Sequence, residues 1–267
     1  MPIADYATYL NKVNAPYQSL RDTKNSITTP AGRTFSFWLT TPFAGVAPTT
    51  AAVPTSATAG AMVKQNSSGV QRIAQVAATL NNSGMIMICD RLSHTGGLSG
   101  IVTTAQTTNL PTAALTRYTS GAGVLAALEI YTAVGATATT VTASYTNESG
   151  TPSRASVATV FGGTGFNAAS QMIILPLQEG DSGVRSVESV TVLATTGTAG
   201  NFGVTLFKPL LYLPTPPVAS RENLFDSVQV LSTYMPVVEN NACLYYAIVG
   251  GTTSSGIMQN VIRFIEE

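Results

Sequence analysis

Along most of this chain apolar and polar positions alternate with a period near two, and the clearest exception is at its start. There Ile3, Tyr6, Ala7, Leu10 and Val13 recur at helical spacing within residues 3–20, which predicts an amphipathic helix with Asp5 near its positive end. Pro16 is expected to end or bend it. A terminal segment stays ordered only when it is docked, so this helix is expected to pack either on its own domain or on a neighbouring subunit. Residues 1–25 are therefore read as an N-terminal helical arm.

Residues 26–43 read as a strand in which Phe35 and Phe37 alternate with polar partners. Residues 42–60 are Pro, Thr, Ala and Gly without periodicity, which predicts an extended arm or surface loop of the kind that is functional or ordered by a partner. Residues 70–80 fit a helix or a buried strand; the strand is preferred because Met85-Ile-Met-Ile-Cys89, between Gly84 and Asp90, is a short buried strand. Residues 124–134 and 139–146, joined through Gly135-Ala136, are expected to form a hairpin. Further strands are predicted at 156–161, 171–177, 184–194, 203–213, 242–249 and 257–265, separated by glycine-rich turns. Short strands at this spacing predict an all-β chain. The expected form is a jelly-roll-like antiparallel β-sandwich over residues 26–267. Without strands alternating with long helices, or a fixed repeat, Rossmann, TIM-barrel, propeller and solenoid folds are excluded.

Composition sharpens this picture. Of 267 residues, 38 are Thr, 23 Gly and 14 Pro, a set that suits pleated strands and tight turns. Charged residues are 10% of the chain, against about 25% in ordinary soluble proteins. Thirteen basic residues balance thirteen acidic ones, so binding nucleic acid through bulk electrostatics is not expected. A hydrophobic content of 45% and a mean hydropathy of +0.23 exclude disorder. Little self-repulsion keeps so neutral a surface apart, which implies that partners cover much of it. No run approaches the ~20 apolar residues that span a bilayer, and no membrane association is expected. The opening Met-Pro-Ile-Ala-Asp-Tyr shows no secretory pattern. With Cys89 and Cys243 remote from each other in apolar runs, two buried free thiols and a reducing cytoplasm are expected.

Candidate chemistry is sparse. His94 is the single histidine, flanked by Asp90 and Ser93, but adjacent side chains on a strand point to opposite faces, so no Ser-His-Asp triad is expected and His94 is read as structural or interfacial. One His and two distant Cys are too few for zinc. Glu179, Asp181 and Glu188 lie near one another, yet Gly180-Asp-Ser-Gly183 reads as a turn before it reads as a calcium loop. No spacing selects a glycosidase pair from the acids. Phe161-Gly-Gly-Thr-Gly-Phe166 lacks the lysine and following helix of a phosphate loop and is read as a turn. Arg117, Arg154 and Arg185 are read as salt-bridge or interface groups. No catalytic residue, metal ligand or cofactor is therefore assigned.

Three segments carry a resemblance: Ile88-Cys-Asp-Arg-Leu-Ser-His-Thr-Gly-Gly-Leu-Ser-Gly100, Leu110-Pro-Thr-Ala-Ala-Leu-Thr-Arg-Tyr118 and Gly197-Thr-Ala-Gly-Asn-Phe-Gly-Val-Thr-Leu-Phe-Lys-Pro209. The ending Arg263-Phe-Ile-Glu-Glu267 fits as well, and together these resemble structural proteins encoded by tailed bacteriophages and prophages. The resemblance implies a non-enzymatic virion protein made in the bacterial host cytoplasm. A head decoration (cement) or minor capsid protein gripping the major capsid protein is expected first. A tail, baseplate or fibre component, or a carbohydrate-binding host-recognition module built on Trp38 and the tyrosines, stands as the alternative. Cement proteins of this type commonly form homo-oligomers, trimers above all. The contacts are expected from the helix, through Tyr6, Tyr9, Leu10 and Val13, and from the 42–60 segment, through Pro48 and Pro54.

Overall fold

A computed structural model describes residues 5–215, 222–226 and 235–267 of the chain. Asp5 is the N-cap of helix α1 (Tyr6–Asn14), its carboxylate accepting a hydrogen bond from the Thr8 amide at 2.7 Å. The helix stops at Asn14, ahead of Pro16, whose ring excludes the helical conformation from the residue before it. The expected start at Ile3 lies outside the described residues. The expected extent to Leu20 is corrected: after Pro16 the chain enters strand β1 (Gln18–Lys24), so the latter part of the 1–25 arm belongs to a sheet.

The strands then follow as β2 (Thr34–Ser36), β3 (Gln71–Leu80), β4 (Gly84–His94) and β5 (Gln106–Thr107). A single 3₁₀ turn (Leu110–Thr112) precedes β6 (Leu125–Thr132), β7 (Thr139–Asn147), β8 (Arg154–Ala155) and β9 (Thr159–Phe161). Next come β10 (Gln171–Ile174), β11 (Val184–Val192) and the long β12 (Asn201–Thr215). The last are β13 (Glu222–Asp226), β14 (Val237–Val238), β15 (Leu244–Gly250) and β16 (Met258–Glu266). Residues 71–80 form a strand, as preferred. The strand expected over 26–43 shrinks to Thr34–Ser36, because Pro30 lacks an amide donor and Gly32 turns the chain at φ +73°.

The all-β, antiparallel expectation holds, but the strands do not divide into two facing sheets. Six of them close a barrel in the order β10-β2-β15-β4-β12-β6. One five-stranded sheet, β1-β16-β3-β13 with β14 added on β3, packs on one side of it. A second, β5-β11-β7-β8 with β9 added on β7, packs on another. Alternation along β4 explains the layering. Ile86 and Ile88 face the first sheet in a cluster with Ile73, Val76, Ile262 and Phe264. Met87 and Cys89 face the other way and join Ala127, Met172, Phe207, Tyr245 and Ala247, which come from the facing barrel strands and fill its interior. On the remaining side Leu128, Ile130, Phe202 and Val204 meet Val141, Tyr145, Val187 and Val190 of the second sheet. A chain with 45% hydrophobic residues is thereby supplied with three apolar layers.

The hairpin expected over 124–146 does not form. Strand β6 pairs with β10 and β12 in the barrel, whereas β7 pairs with β11, β8 and β9 in the second sheet. The connection between them is fastened to residues 195–198 instead of folding on itself. The Gly135 amide donates to Thr196 Oγ1 at 3.0 Å and the Thr137 amide to the Thr196 carbonyl at 3.1 Å. A Cβ on Gly135 would lie 1.7 Å from that carbonyl oxygen, so only glycine permits the approach.

Candidate functional site

The segment around His94 ends strand β4, and alternation sends its polar side chains to different places. Ser93 Oγ donates to the Ala113 carbonyl at 2.9 Å. The Asp90 carboxylate accepts from Arg117 Nε and Nη2, both at 2.9 Å, and from the Cys243 amide at 2.9 Å. Arg117 also donates to the carbonyls of Pro54 at 3.0 Å and Arg91 at 2.9 Å, so one buried guanidinium ties the 42–60 segment to the barrel. Burial raises the Asp90 carboxyl, with Arg117 and the Cys243 amide acting against it. Ser93 and Asp90 are thus committed to Ala113 and Arg117 and do not converge on His94.

His94 instead closes a network that the sequence did not single out. Arg91 Nε donates to His94 Nδ1 at 2.9 Å, while Nη1 reaches Glu129 Oε1 at 3.3 Å and Nη2 pairs with Glu129 Oε2. Nη2 also donates to Thr205 Oγ1 at 2.9 Å and Tyr131 OH at 3.2 Å, and Thr205 Oγ1 donates to Glu129 Oε2 at 2.5 Å. The guanidinium lies 4.2 Å from the centre of the Trp38 ring. Burial, followed by the Arg91 charge, lowers the His94 imidazole to about 3, so it is neutral at physiological pH and accepts at Nδ1. Burial is the largest single influence on Arg91 and lowers it; the Glu129 charge, Tyr131, Tyr245 and the Glu129 hydrogen bond together outweigh it and raise the guanidinium. Every charged group in this network is spent on a structural partner.

The remaining candidates resolve similarly. Asp181 accepts from Tyr145 OH, from Asn147 Nδ2 at 2.7 Å and from Arg154 Nε at 2.9 Å. The Arg154 hydrogen bond is the main reason its carboxyl falls to about 2. The Gly162–Gly165 stretch is the turn its glycines imply, with φ of +68°, +71° and +88° at Gly162, Gly163 and Gly165. Burial raises the Cys243 thiol to about 12 and the Cys89 thiol further, so both are inert free thiols. No three His, Cys, Asp or Glu side chains converge on a metal position among the described residues.

The expected contact residues are mostly consumed within the chain. Tyr9 and Val13 are buried against Ala74 and Ile265, and Tyr9 OH donates to Asp226 Oδ1 at 2.9 Å, so the helix docks on its own domain. Tyr6 and Leu10 stay exposed on its other side. Pro48 and Pro54 are buried, and the 42–60 segment is a loop laid against the barrel. Trp38 lies in the barrel interior and offers no surface platform.

The surface that does stand out is the turn at residues 41–46. Phe43 is 67% exposed on a left-handed backbone, φ +59°, and near it Val46 and Val63 are 70% and 71% exposed. Nothing about this turn is loose. The buried Lys24 ammonium donates to the carbonyls of Thr40 at 3.3 Å, Pro42 at 2.9 Å and Phe43 at 3.0 Å. The Asn25 amide donates to the Thr41 carbonyl at 2.8 Å, the Gly45 amide to the Trp38 carbonyl at 2.7 Å, and Trp38 Nε1 to the Val46 carbonyl at 2.9 Å. A cleft of about 90 Å³ is lined by Leu20, Arg21, Asp22, Phe43, Met62 and Val63. Elsewhere a groove of about 480 Å³ is lined by hydroxyls and backbone, among them Thr49, Thr50, Thr95, Thr107 and Asn109, with no charged or aromatic side chain.

No helix among the described residues is long and apolar enough to cross a membrane. Comparison of the chain with protein-family models, curated proteins and solved structures finds no match.

Proposed function

We propose that the chain is a non-enzymatic structural protein of a tailed-phage particle, acting by contact as a head decoration, cement or minor capsid protein. The observation that carries this reading is Phe43. A left-handed backbone costs a non-glycine residue about 1–2 kcal/mol. Holding an aromatic ring in water forgoes a further burial gain of about 1.5–3 kcal/mol. A turn clamped by a buried lysine keeps both costs in place, which is the preorganisation expected of an interface anchor. The barrel supports the same reading from the other side, because Arg91 pairs with Glu129 and Arg117 with Asp90, and both thiols are buried. The chain shares antiparallel β structure with the jelly-roll form expected of cement proteins, but arranges it as a barrel flanked by two sheets. A homotrimer gripping the major capsid protein is the assembly this reading adopts.

Immunogold labelling of purified particles with antibodies to this chain tests it. Label on the head supports the reading, label confined to the tail or baseplate selects the tail alternative, and particles without the chain overturn it. The hydroxyl-lined groove beside Thr95 favours a second reading, recognition of a neutral host glycan. Saturable binding on a glycan array, lost on substituting the groove threonines, would select that one.

A further inference from the structure

On the second sheet, β11 carries Ser186 and Glu188 two residues apart, with the intervening Val187 turned into the core. The loop running from Pro111 to Thr119 lies beside them, and the two line an open groove of about 260 Å³, well above the ~10–15 Å³ that one water needs. Pro111, Ala114 and Leu115 give it an apolar wall, and Ser186 and Glu188 give it a polar end.

That polar end is incomplete. Glu188 Oε1 accepts from Thr146 Oγ1 at 2.6 Å, but Glu188 Oε2 and Ser186 Oγ are buried without a hydrogen-bond partner. They are two of the four such side-chain atoms among the described residues, and both belong to this one groove. Glu188 takes part in none of the ion pairs among the described residues. Arg185, at the rim, does not satisfy it: Nε and Nη2 donate to the Glu148 carbonyl at 3.0 and 2.7 Å, and Nε also to Ser120 O at 3.2 Å.

A carboxylate oxygen held out of water without a donor is costly, and a cationic donor compensates it better than a neutral one. Glu188 as a residue is half-buried and lines the groove. We propose that this groove binds an alkylammonium or alkylguanidinium group, its head on Glu188 and Ser186 and its aliphatic stem along Pro111, Ala114 and Leu115. Arg185 is held by the Glu148 and Ser120 carbonyls, which leaves the Glu188 carboxylate to favour a cation, and the apolar wall gives the stem a surface that a bare inorganic cation cannot use. The source is a free alkylamine or the Lys or Arg side chain of a neighbouring protein. This site is independent of the Phe43 surface and of the particle reading.

The test is a titration of the full chain, labelled at glutamate ¹³Cδ and followed by NMR, with agmatine, with N-acetyl-arginine methylamide and with pentan-1-ol. Agmatine should shift the Glu188 resonance saturably with a Kd of about 1 mM. Glu188→Gln, which lacks the labelled carboxyl and is followed through the backbone amide shifts of Leu115 and Thr119, should weaken agmatine binding about tenfold, the loss of one charge-assisted hydrogen bond, and Ser186→Ala should weaken it less. Binding of both cations supports the site with a protein side chain as its natural occupant; binding of agmatine alone supports it with a free amine. No saturable shift with agmatine, equal affinity in Glu188→Gln, or equal binding of pentan-1-ol overturns the proposal. The pentan-1-ol comparison uses the unaltered chain and holds even where a variant fails to fold.

Discussion

Arg91 and Glu129 are paired inside the barrel with both side chains shut off from water, at 0% and 1% exposure. Such a pair is a weak source of net stability, since desolvation offsets the attraction, but removing one partner strands the other charge. Glu129→Gln should therefore destabilise the chain by about 3–5 kcal/mol in urea unfolding, without changing the strand content seen by circular dichroism. The double variant Arg91→Met with Glu129→Leu should recover much of that loss. Equal destabilisation by the single and double variants would show that the network matters for its shape and not for its charge.

How much of this was legible in the sequence depends on whether the determinant is local. β3, β4, β11, β12, β15 and β16 follow from alternation and turn residues within a dozen positions. Which strands pair does not, because β6 and β7 are parted by contacts between Gly135 and Thr196 that lie 61 residues apart in the chain. The barrel in place of two facing sheets has the same origin. Part of the signal for the Arg91–Glu129 pair was present, as Glu129 is a lone charge in the apolar run of residues 125–131, but Arg91 sits beside Asp90 and 38 positions separate the two. Asp181 and Arg154, and Asp90 and Arg117, meet in the manner expected of salt-bridge arginines. Phe43 was not legible, since nothing in its neighbours announces that a buried Lys24 will hold it outward.

His94 gives a pH signature with a definite sign. Its ordinary value is 6.5, and burial followed by the Arg91 charge lowers it to about 3 in the folded chain. Below pH 6.5 the unfolded chain binds a proton that the folded chain refuses. The stabilisation is thus complete above about pH 6.5 and is lost as pH falls toward 3, at up to about 1.4 kcal/mol per pH unit. His94→Gln, whose amide oxygen can still accept from Arg91 Nε, should flatten the stability curve between pH 6.5 and 4. Asp181, held down to about 2 chiefly by Arg154, titrates below that window in both proteins. Parallel curves for the two proteins in urea titrations would refute the assignment.

Lys24 is nearly fully buried and its ammonium serves three carbonyls of the 40–43 turn. Lys24→Met keeps the aliphatic bulk and removes the donors, leaving those carbonyls without their cation. A loss of about 2–3 kcal/mol in global stability is expected. Amide exchange at Gly45 should accelerate, since its bond to the Trp38 carbonyl depends on the turn, while amides of β4 remain protected. Uniform acceleration across both would mean that Lys24 supports the whole domain and not the turn in particular.

Phe43→Asn separates the two roles that one residue combines. Asn occupies the left-handed region more readily than Phe, so at φ +59° the substitution should relieve strain. The ring contributes little to the folded chain because most of it faces solvent. Thermal unfolding of the free variant should therefore be unchanged or shifted upward, by no more than about 1 kcal/mol in stability. A contact anchor behaves oppositely on the particle, where truncating a buried aromatic costs about 2 kcal/mol or more, enough to empty most sites at limiting protein. Quantifying the chain on particles assembled with Phe43→Asn, beside the neighbouring Val63→Ser, reads this directly. A variant as stable as the parent but missing from particles locates the anchor at Phe43. Full occupancy by both variants removes the support that Phe43 lends to the particle reading and leaves the ring as a wall of the cleft it forms with Leu20 and Met62.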